Sequence, residues 1–431
     1  MGDRNPKLRI FLYFSAFFRV ISKPVEPLPH PDMSLKKQFL CLAVLLLFAG
    51  VGYAQEYEAV DTNSVTERPK YELRQERIDA KRAKKNLWLS VMGGPSYTPE
   101  ASFGIGGAFL GSFRVDRSDT VSQRSYFPVG LNLTVNGTFV VQGEGAMFFN
   151  ENRFRLYIKY QFRNEPTNYY GKGFDRIDSI EKSDSTTEFT KQAFKLYPRA
   201  VWEIKPNLYV GGSLDMTYTR SSDINPVMAQ DEYFCKFGKS YFLMGVGGLV
   251  QYDTRDDVAT PYRGVFLSAT GEVFNKVFGS KYNYELIDLE YRQFTQLFHR
   301  RSVLAWVARA QMSLGDVPFT ELPMFGSPFD LRGYEWGKYR DRSMAYVMTE
   351  YRHMFGTEEA YKSGRIFAKL GFVVWGGLGT LGDDPSEWTK WKINYGAGFR
   401  FQIQPRKNCR IDIGKGQGSG ILFYMNMTEA F

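Results

Sequence analysis

Three cysteines and three histidines are all that 431 residues supply. So few cysteines exclude a disulfide scaffold, and so few histidines leave little material for zinc sites or imidazole catalysis. No glycine-rich phosphate loop, paired-cysteine zinc spacing or dinucleotide fingerprint occurs, so neither a cofactor nor a metal is expected. Long apolar runs are scarce too. Beyond Phe39–Gly50 no window of about 18 apolar residues exists, which rules out a membrane-spanning helix in the later chain. The net charge is +9, but the basic residues are scattered, with no concentrated patch or recognisable nucleic-acid module, so no nucleic-acid partner is expected.

Aromatics and glycine are abundant: 27 Tyr, 36 Phe and 41 Gly, at a mean hydropathy of only -0.34. That combination suits a lipid-facing β-barrel with aromatic girdles and a polar lumen. Scattered lysines and arginines then line the lumen or meet anionic headgroups. From Leu87 onward, turn signals alternate with short amphipathic runs, most near the ~9–11 residues that a tilted strand needs to cross hydrocarbon. Sixteen such runs are counted, from Phe103–Val115 to Ile421–Phe431, including one at Arg365–Gly376, with a single weak member near Phe319–Phe329. In Tyr284–Leu297, Tyr284, Leu286, Asp288, Glu290 and Arg292 share a luminal face, while Glu285, Ile287, Leu289 and Tyr291 share the other. In the last run Ile421, Phe423, Met425, Met427 and Phe431 are in phase as a closing-strand signal, with Glu429 as the exception. The expected fold is all-β: a transmembrane antiparallel β-barrel of sixteen strands, with a short N-terminal polar segment or helix. Lipid offers no partners for backbone N–H and C=O groups, so the last strand must meet the first.

Ahead of the barrel, Lys36 and Lys37 precede the apolar run Phe39–Gly50, and Gly52 and Ala54 stand before Gln55. This reads as a signal peptide over 33–54, with 1–32 as an over-called upstream start. Residues 55–86 form a short polar periplasmic segment in which Thr66-Glu67-Arg68-Pro69 opens a helix over Tyr71–Lys85. That helix carries no apolar stripe. Three placements stay open for it: inside the lumen, against a periplasmic partner, or mobile. Cys235 and Cys409 remain after cleavage, far apart in sequence, and read as two isolated thiols rather than a bridge.

Four segments then carry a resemblance. Tyr252-Asp253-Thr254-Arg255-Asp256 with Pro261-Tyr262-Arg263-Gly264 resembles a D-x-R-D … P-x-x-G extracellular turn. Leu331-Arg332-Gly333-Tyr334 resembles a signature R-G-[FY] loop that folds back into the lumen. Glu350-Tyr351-Arg352 matches the acidic strand position that follows it. Tyr395–Arg400, Arg410-Ile411-Asp412 and the last strand match a closing region. Together, over Leu87–Phe431, they are similar to the barrel of BamA/TamA-type outer-membrane proteins, the bacterial surface antigen family. The resemblance implies a monomeric barrel in a Gram-negative outer membrane, facing lipid. Possible partners are other outer-membrane or periplasmic assembly proteins.

A guanidinium inside the lumen needs planar acceptors, and Glu350 shares luminal parity with Arg352, so an Arg332–Glu350 ion pair is expected to pin the loop. One departure concerns the family's F-x-D-x-G. The matching run is Phe372-Val373-Val374-Trp375-Gly376, where Val374 replaces the aspartate and thins the lock. A second is the absence, in this reading, of POTRA client-binding domains ahead of the barrel.

Function is then expected to be an accessory role in outer-membrane biogenesis or protein assembly. A plugged or gated channel and a structural surface antigen are the alternatives. Gly143, Gly145 and the glycine-rich Cys409–Gly420 suggest locally weak pairing near a C-terminal seam. No enzyme is expected. Ser302 lies three residues beyond His299 without forming an oriented nucleophile–base pair, and His353 reads as a rim residue. Asp253, Asp256, Asp257, Asp383 and Asp384 read as solvated turn acids rather than calcium ligands.

Overall fold

A computed structural model describes residues 86–98, 102–119, 121–182, 187–362, 364–404, 406–426 and 429–431. The leader, the upstream start, the Tyr71–Lys85 helix and Met427 lie outside the described residues.

Among the described residues, sixteen strands form one sheet in which each strand pairs antiparallel with the next along the chain. They are β1 (Trp88–Thr98), β2 (Ser102–Phe113), β3 (Ser125–Thr134), β4 (Phe139–Phe149), β5 (Phe154–Asn168), β6 (Glu188–Lys205), β7 (Leu208–Ser222) and β8 (Ser240–Asp253). There follow β9 (Gly264–Phe274), β10 (Tyr284–Gln296), β11 (Ser302–Gly315), β14 (Ser343–Met354), β15 (Leu370–Gly382), β16 (Lys392–Gln404), β17 (Lys407–Gly416) and β18 (Ile421–Asn426). A separate two-stranded ribbon, β12 (Met324–Phe325) with β13 (Tyr339–Arg340), lies within the connection from β11 to β14. At the seam β1 and β18 come within 8 Å of each other, Cα to Cα.

The period of two settles which side chains meet lipid. Along β8 the exposed Phe242, Val246, Val250 and Tyr252 alternate with the buried Tyr241, Leu243, Leu249, Gln251 and Asp253. Ile421, Phe423 and Met425 on β18 are exposed as the closing-strand pattern requires. On β10 and β11 the inner face carries the pair Asp288–Arg309, at 2.5 Å.

Sixteen is the expected number, but the membership differs. Trp88–Thr98, which is not among the sixteen expected runs, is a wall strand; it contains Gly93-Gly94-Pro95 and stands at the seam, where a strand tolerates proline. The expected strand near Phe319–Phe329 is instead a 3-10 turn, Phe319–Glu321, followed by one arm of the ribbon. Pro318, Pro323 and Pro328 each remove a ladder donor there. The expected strand over Arg365–Gly376 starts later, because Ile366–Lys369 is a 3-10 turn, so Lys369 does not share the parity of Val373 and Trp375.

The β3–β4 pairing is interrupted between Tyr126↔Ala146 and Gly130↔Gln142, beside Gly143 and Gly145. Tyr160 covers that gap by donating to the Pro128 carbonyl at 2.6 Å and stacking on Phe127 at 5.0 Å. The glycine-rich weak point is therefore patched by aromatics, and it lies away from the C-terminal seam.

Because the strands form a meander, successive connections alternate between the two ends of the barrel. The loop Asp316–Arg342 and the turn Thr254–Arg263 fall on opposite ends. At most one of the two is therefore extracellular.

Candidate functional site

The β11–β14 loop is built to turn inward. Asp330 accepts hydrogen bonds from Gly326 N and Ser327 N (2.9 and 2.7 Å) and from Ser327 Oγ (2.7 Å), closing a tight turn ahead of the signature residues. Leu331, Arg332 and Tyr334 are all buried. Gly333 has φ +108, and a Cβ there would fall 2.4 Å from the Lys415 carbonyl carbon, so the loop backbone lies directly on β17. Gly416 N donates to Gly333 O at 3.0 Å, and Asn394 Nδ2 donates to Arg332 O at 2.7 Å. Tyr334 supplies the polar-tipped anchor: its hydroxyl donates to Ile393 O at 2.6 Å and accepts from Gln417 N at 3.0 Å.

The wall beneath Arg332 follows from strand register. Glu350 pairs with Trp375, Trp375 with Gly396, and Gly396 with Gly414, making one luminal row. Arg352, Val373, Gly398 and Asp412 make the adjacent row. In both rows the β16 position is a glycine, Gly396 or Gly398, and Gly414 on β17 ends the first row, so the wall between Trp375 and Asp412 is a shallow floor. Over that floor the Arg332 guanidinium lies 3.7 Å from the Trp375 ring centroid. One of its nitrogens reaches Glu350 Oε1, and the other reaches Asp412 Oδ2 at 2.6 Å. Spacing between adjacent strands is ~4.8 Å, so a single guanidinium ties together strands three positions apart.

The two carboxylates are shared further. Glu350 Oε2 accepts from Arg352 at 2.7 Å. Asp412 accepts from Arg400 and from Arg410, each at 2.6 Å. Arg400 continues to Glu429 at 3.1 Å. Four arginines and three acids thus form one buried network. Low dielectric strengthens each contact in it and makes loss of a partner costly.

The structure brings together the expected pair, Arg332 and Glu350, and adds partners that sequence reasoning missed. Asp412 could have been found, because Arg410 and Asp412 share one face of a strand whose other face is apolar. Trp375 was obscured by aligning Val374 with the family aspartate. Val374 is exposed on the lipid side; Val373 and Trp375 face inward. The lock is not thin: Trp375 takes the luminal place and Asp412 supplies the charge. Val374→Asp should therefore lower the refolding yield in detergent, since it sets a carboxylate against lipid, whereas Trp375→Asp should retain a pinned loop. Equal yields for Val374→Asp and wild type would show that the parity is wrong.

Phe431 departs from the expected lipid-facing phase. Beyond β18 (Ile421–Asn426), the described residues 429–431 are buried inside. Glu429 takes Arg400 and Asn408, the Phe431 carbonyl accepts from Arg352 at 3.0 Å, and the Phe431 ring lies 6.3 Å from that of Phe294. A buried acid finds its counter-charges only in the lumen, which draws the segment inward.

At the other end, the D-x-R-D turn is a second constructed feature. Asp253 is not solvated: it is buried between Arg155 (2.6 Å) and Arg255 (2.8 Å). Asp256 accepts from Tyr262 N at 2.9 Å and pairs with Arg406 at 2.9 Å, and the Arg406 guanidinium stacks on Tyr262 at 3.6 Å. Burial pushes the Tyr262 phenol above its ordinary range, with the Arg406 cation opposing. Asp257 and Asp384 cap their own turns.

His299 and His353 stack edge to face at 4.8 Å on the outer wall, away from the buried acids. Cys235 and Cys409 are both free thiols, the first exposed and the second buried.

The Omp85 superfamily domain matches residues 118–428. The chain is similar to the solved structure of BamA from Haemophilus ducreyi lacking POTRA domains 1–3, at 11% identity and a TM-score of 0.49, covering 92% of this chain and 79% of that one. It is also similar to CdiB from Acinetobacter baumannii, at 11% identity and a TM-score of 0.47, covering 82% and 68%. CdiB from Escherichia coli gives 8% identity and a TM-score of 0.48, covering 80% and 63%. Among curated proteins none matches. The match spans well over half of the sequence and takes in both the inward-folded arginine loop and the strands that hold it: this chain belongs to the Omp85 superfamily, as an outer-membrane β-barrel.

Proposed function

We propose that this barrel acts in outer-membrane biogenesis, assisting the insertion or passage of other outer-membrane proteins rather than catalysing a reaction. The observation that carries the reading is Arg332, held between carboxylates on β14 and β17. It makes the last strands before the seam one braced unit, while β18, the strand facing β1, spans six residues among those described. A wall braced on one side of the seam strand suits a barrel that opens sideways for a client strand. Depletion of the protein should reduce porin levels in the outer membrane, and crosslinking in native membranes should recover barrel precursors or assembly proteins. Unchanged porins together with an absence of crosslinked partners would overturn it.

A second reading, a plugged channel, is favoured by the charged inner wall, where Lys195 pairs with Asp215 and Arg309 with Asp288. Planar-bilayer recording separates the two. A channel should conduct in the wild-type state and gain conductance when residues 55–85 are deleted, whereas the biogenesis reading requires low conductance in both.

A further inference from the structure

The barrel end opposite the signature loop carries a surface that neither the lumen network nor the seam uses. Two neighbouring connections make it: 297–301, between β10 and β11, and 355–369, between β14 and β15. Most other turns at this end are shorter than the second of these. Arg301 fixes them together. It is 2% exposed, and its guanidinium donates to the carbonyls of Phe355 (3.3 Å), Thr357 (3.4 Å) and Ala368 (2.5 Å) and to Gln402 (2.8 Å). Four acceptors on one buried cation hold the longer connection in a single shape.

That shape presents apolar groups outward. Phe298 is 85% exposed, Ile366 72% and Phe367 63%. They continue the lipid-facing wall: Phe367 stacks on Phe355 at 4.9 Å, Phe355 lies 5.9 Å from Phe372, and Phe372 lies 5.3 Å from His353. Water would not favour so much exposed apolar surface on a rigidly held turn. Beside it stand Arg300 and Arg365, both exposed, and the half-buried Lys369, none with a side-chain acid partner among the described residues. The same connection also carries the acids Glu358 and Glu359, in the first turn of the short helix Glu358–Lys362. Apolar tips continuous with the lipid face, with cations at the level where headgroups begin, match one occupant: acidic phospholipid in the leaflet at this end.

We propose that connections 297–301 and 355–369 form a lipid anchor, inserting Phe298, Ile366 and Phe367 among acyl chains and binding acidic phospholipid headgroups through Arg300, Arg365 and Lys369. The site joins the ends of β10, β11, β14 and β15, so it fixes the height and tilt of that part of the wall.

The test uses the purified full-length barrel in nanodiscs. A spin label at Phe367→Cys, in a Cys235→Ser background, should be accessible to oxygen and shielded from a water-soluble nickel chelate. In mixed phosphatidylglycerol and phosphatidylcholine discs, native mass spectrometry should show phosphatidylglycerol retained several-fold over its bulk share. Arg300→Gln/Arg365→Gln/Lys369→Gln should bring that enrichment close to one while heat-modifiability stays unchanged. A label exposed to the nickel chelate would overturn insertion, and enrichment that survives the triple substitution would overturn headgroup recognition.

Discussion

Asp412→Asn is expected to be the most damaging single polar substitution in the barrel. Four buried arginines face three acids in the wild-type network, and Asp412 alone contacts three of those arginines: Arg332, Arg400 and Arg410. Its neutralisation leaves four cations to two anions. Breaking a buried ion pair from one side costs about 3–5 kcal/mol, and nothing nearby replaces the lost charge. The folded, fast-migrating gel form should therefore convert to the unfolded form at a clearly lower temperature. Arg332→Ala makes an instructive contrast. It leaves three cations against three anions, so the wall should keep most of its heat resistance while the loop is released. Glu350→Gln should fall between them, since Arg332 keeps Asp412. If Arg332→Ala proved the more destabilising, the charge count would be the wrong description of this lumen.

Gly416→Val should release the same loop by sterics alone. A Cβ at Gly416 would fall 2.2 Å from the Tyr334 ring, well inside any allowed contact. The valine and the tyrosine cannot share the site, and forcing extra carbon into a packed site costs about 1–3 kcal/mol. The strand itself tolerates valine, so strain is relieved most cheaply by moving Tyr334. That move breaks its bonds to Ile393 and Gln417. The expected readout is trypsin cleavage after Arg332 or Lys338 in a barrel that still runs as folded. Persistent protease resistance would mean that Tyr334 is not what seats the loop.

Much of this arrangement could be read from residue order. Alternation along Tyr284–Leu297 located lumen and lipid, and the Arg332–Glu350 pairing followed from the need of a buried guanidinium for a planar acceptor. The failures have separate causes. Parity is only as good as the point at which a strand begins. The strand expected from Arg365 begins at Leu370, and aligning Val374 with the family aspartate hid the tryptophan under the guanidinium. Trp88–Thr98 contains glycine and proline, which weigh against a strand locally, whereas a seam position permits them. Phe431 continued an outward phase on paper, but charge on Glu429 overrode it. Asp412 was visible as a residue; what could not be read was the register that sets it opposite Gly398 and within reach of Arg332.

The central claim is that Arg332 and its loop sit inside the barrel against β14–β17. The most direct measurement is site-directed crosslinking of Leu331→Cys to Gly379→Cys in native outer membranes, because a Cβ at Gly379 would touch Leu331 Cδ1 at 2.3 Å. A short bifunctional thiol reagent should join the pair in the folded barrel and leave either single substitution unlinked. Failure to join, with Leu331→Cys freely labelled by a membrane-impermeant maleimide, would place the loop outside the lumen and contradict the account.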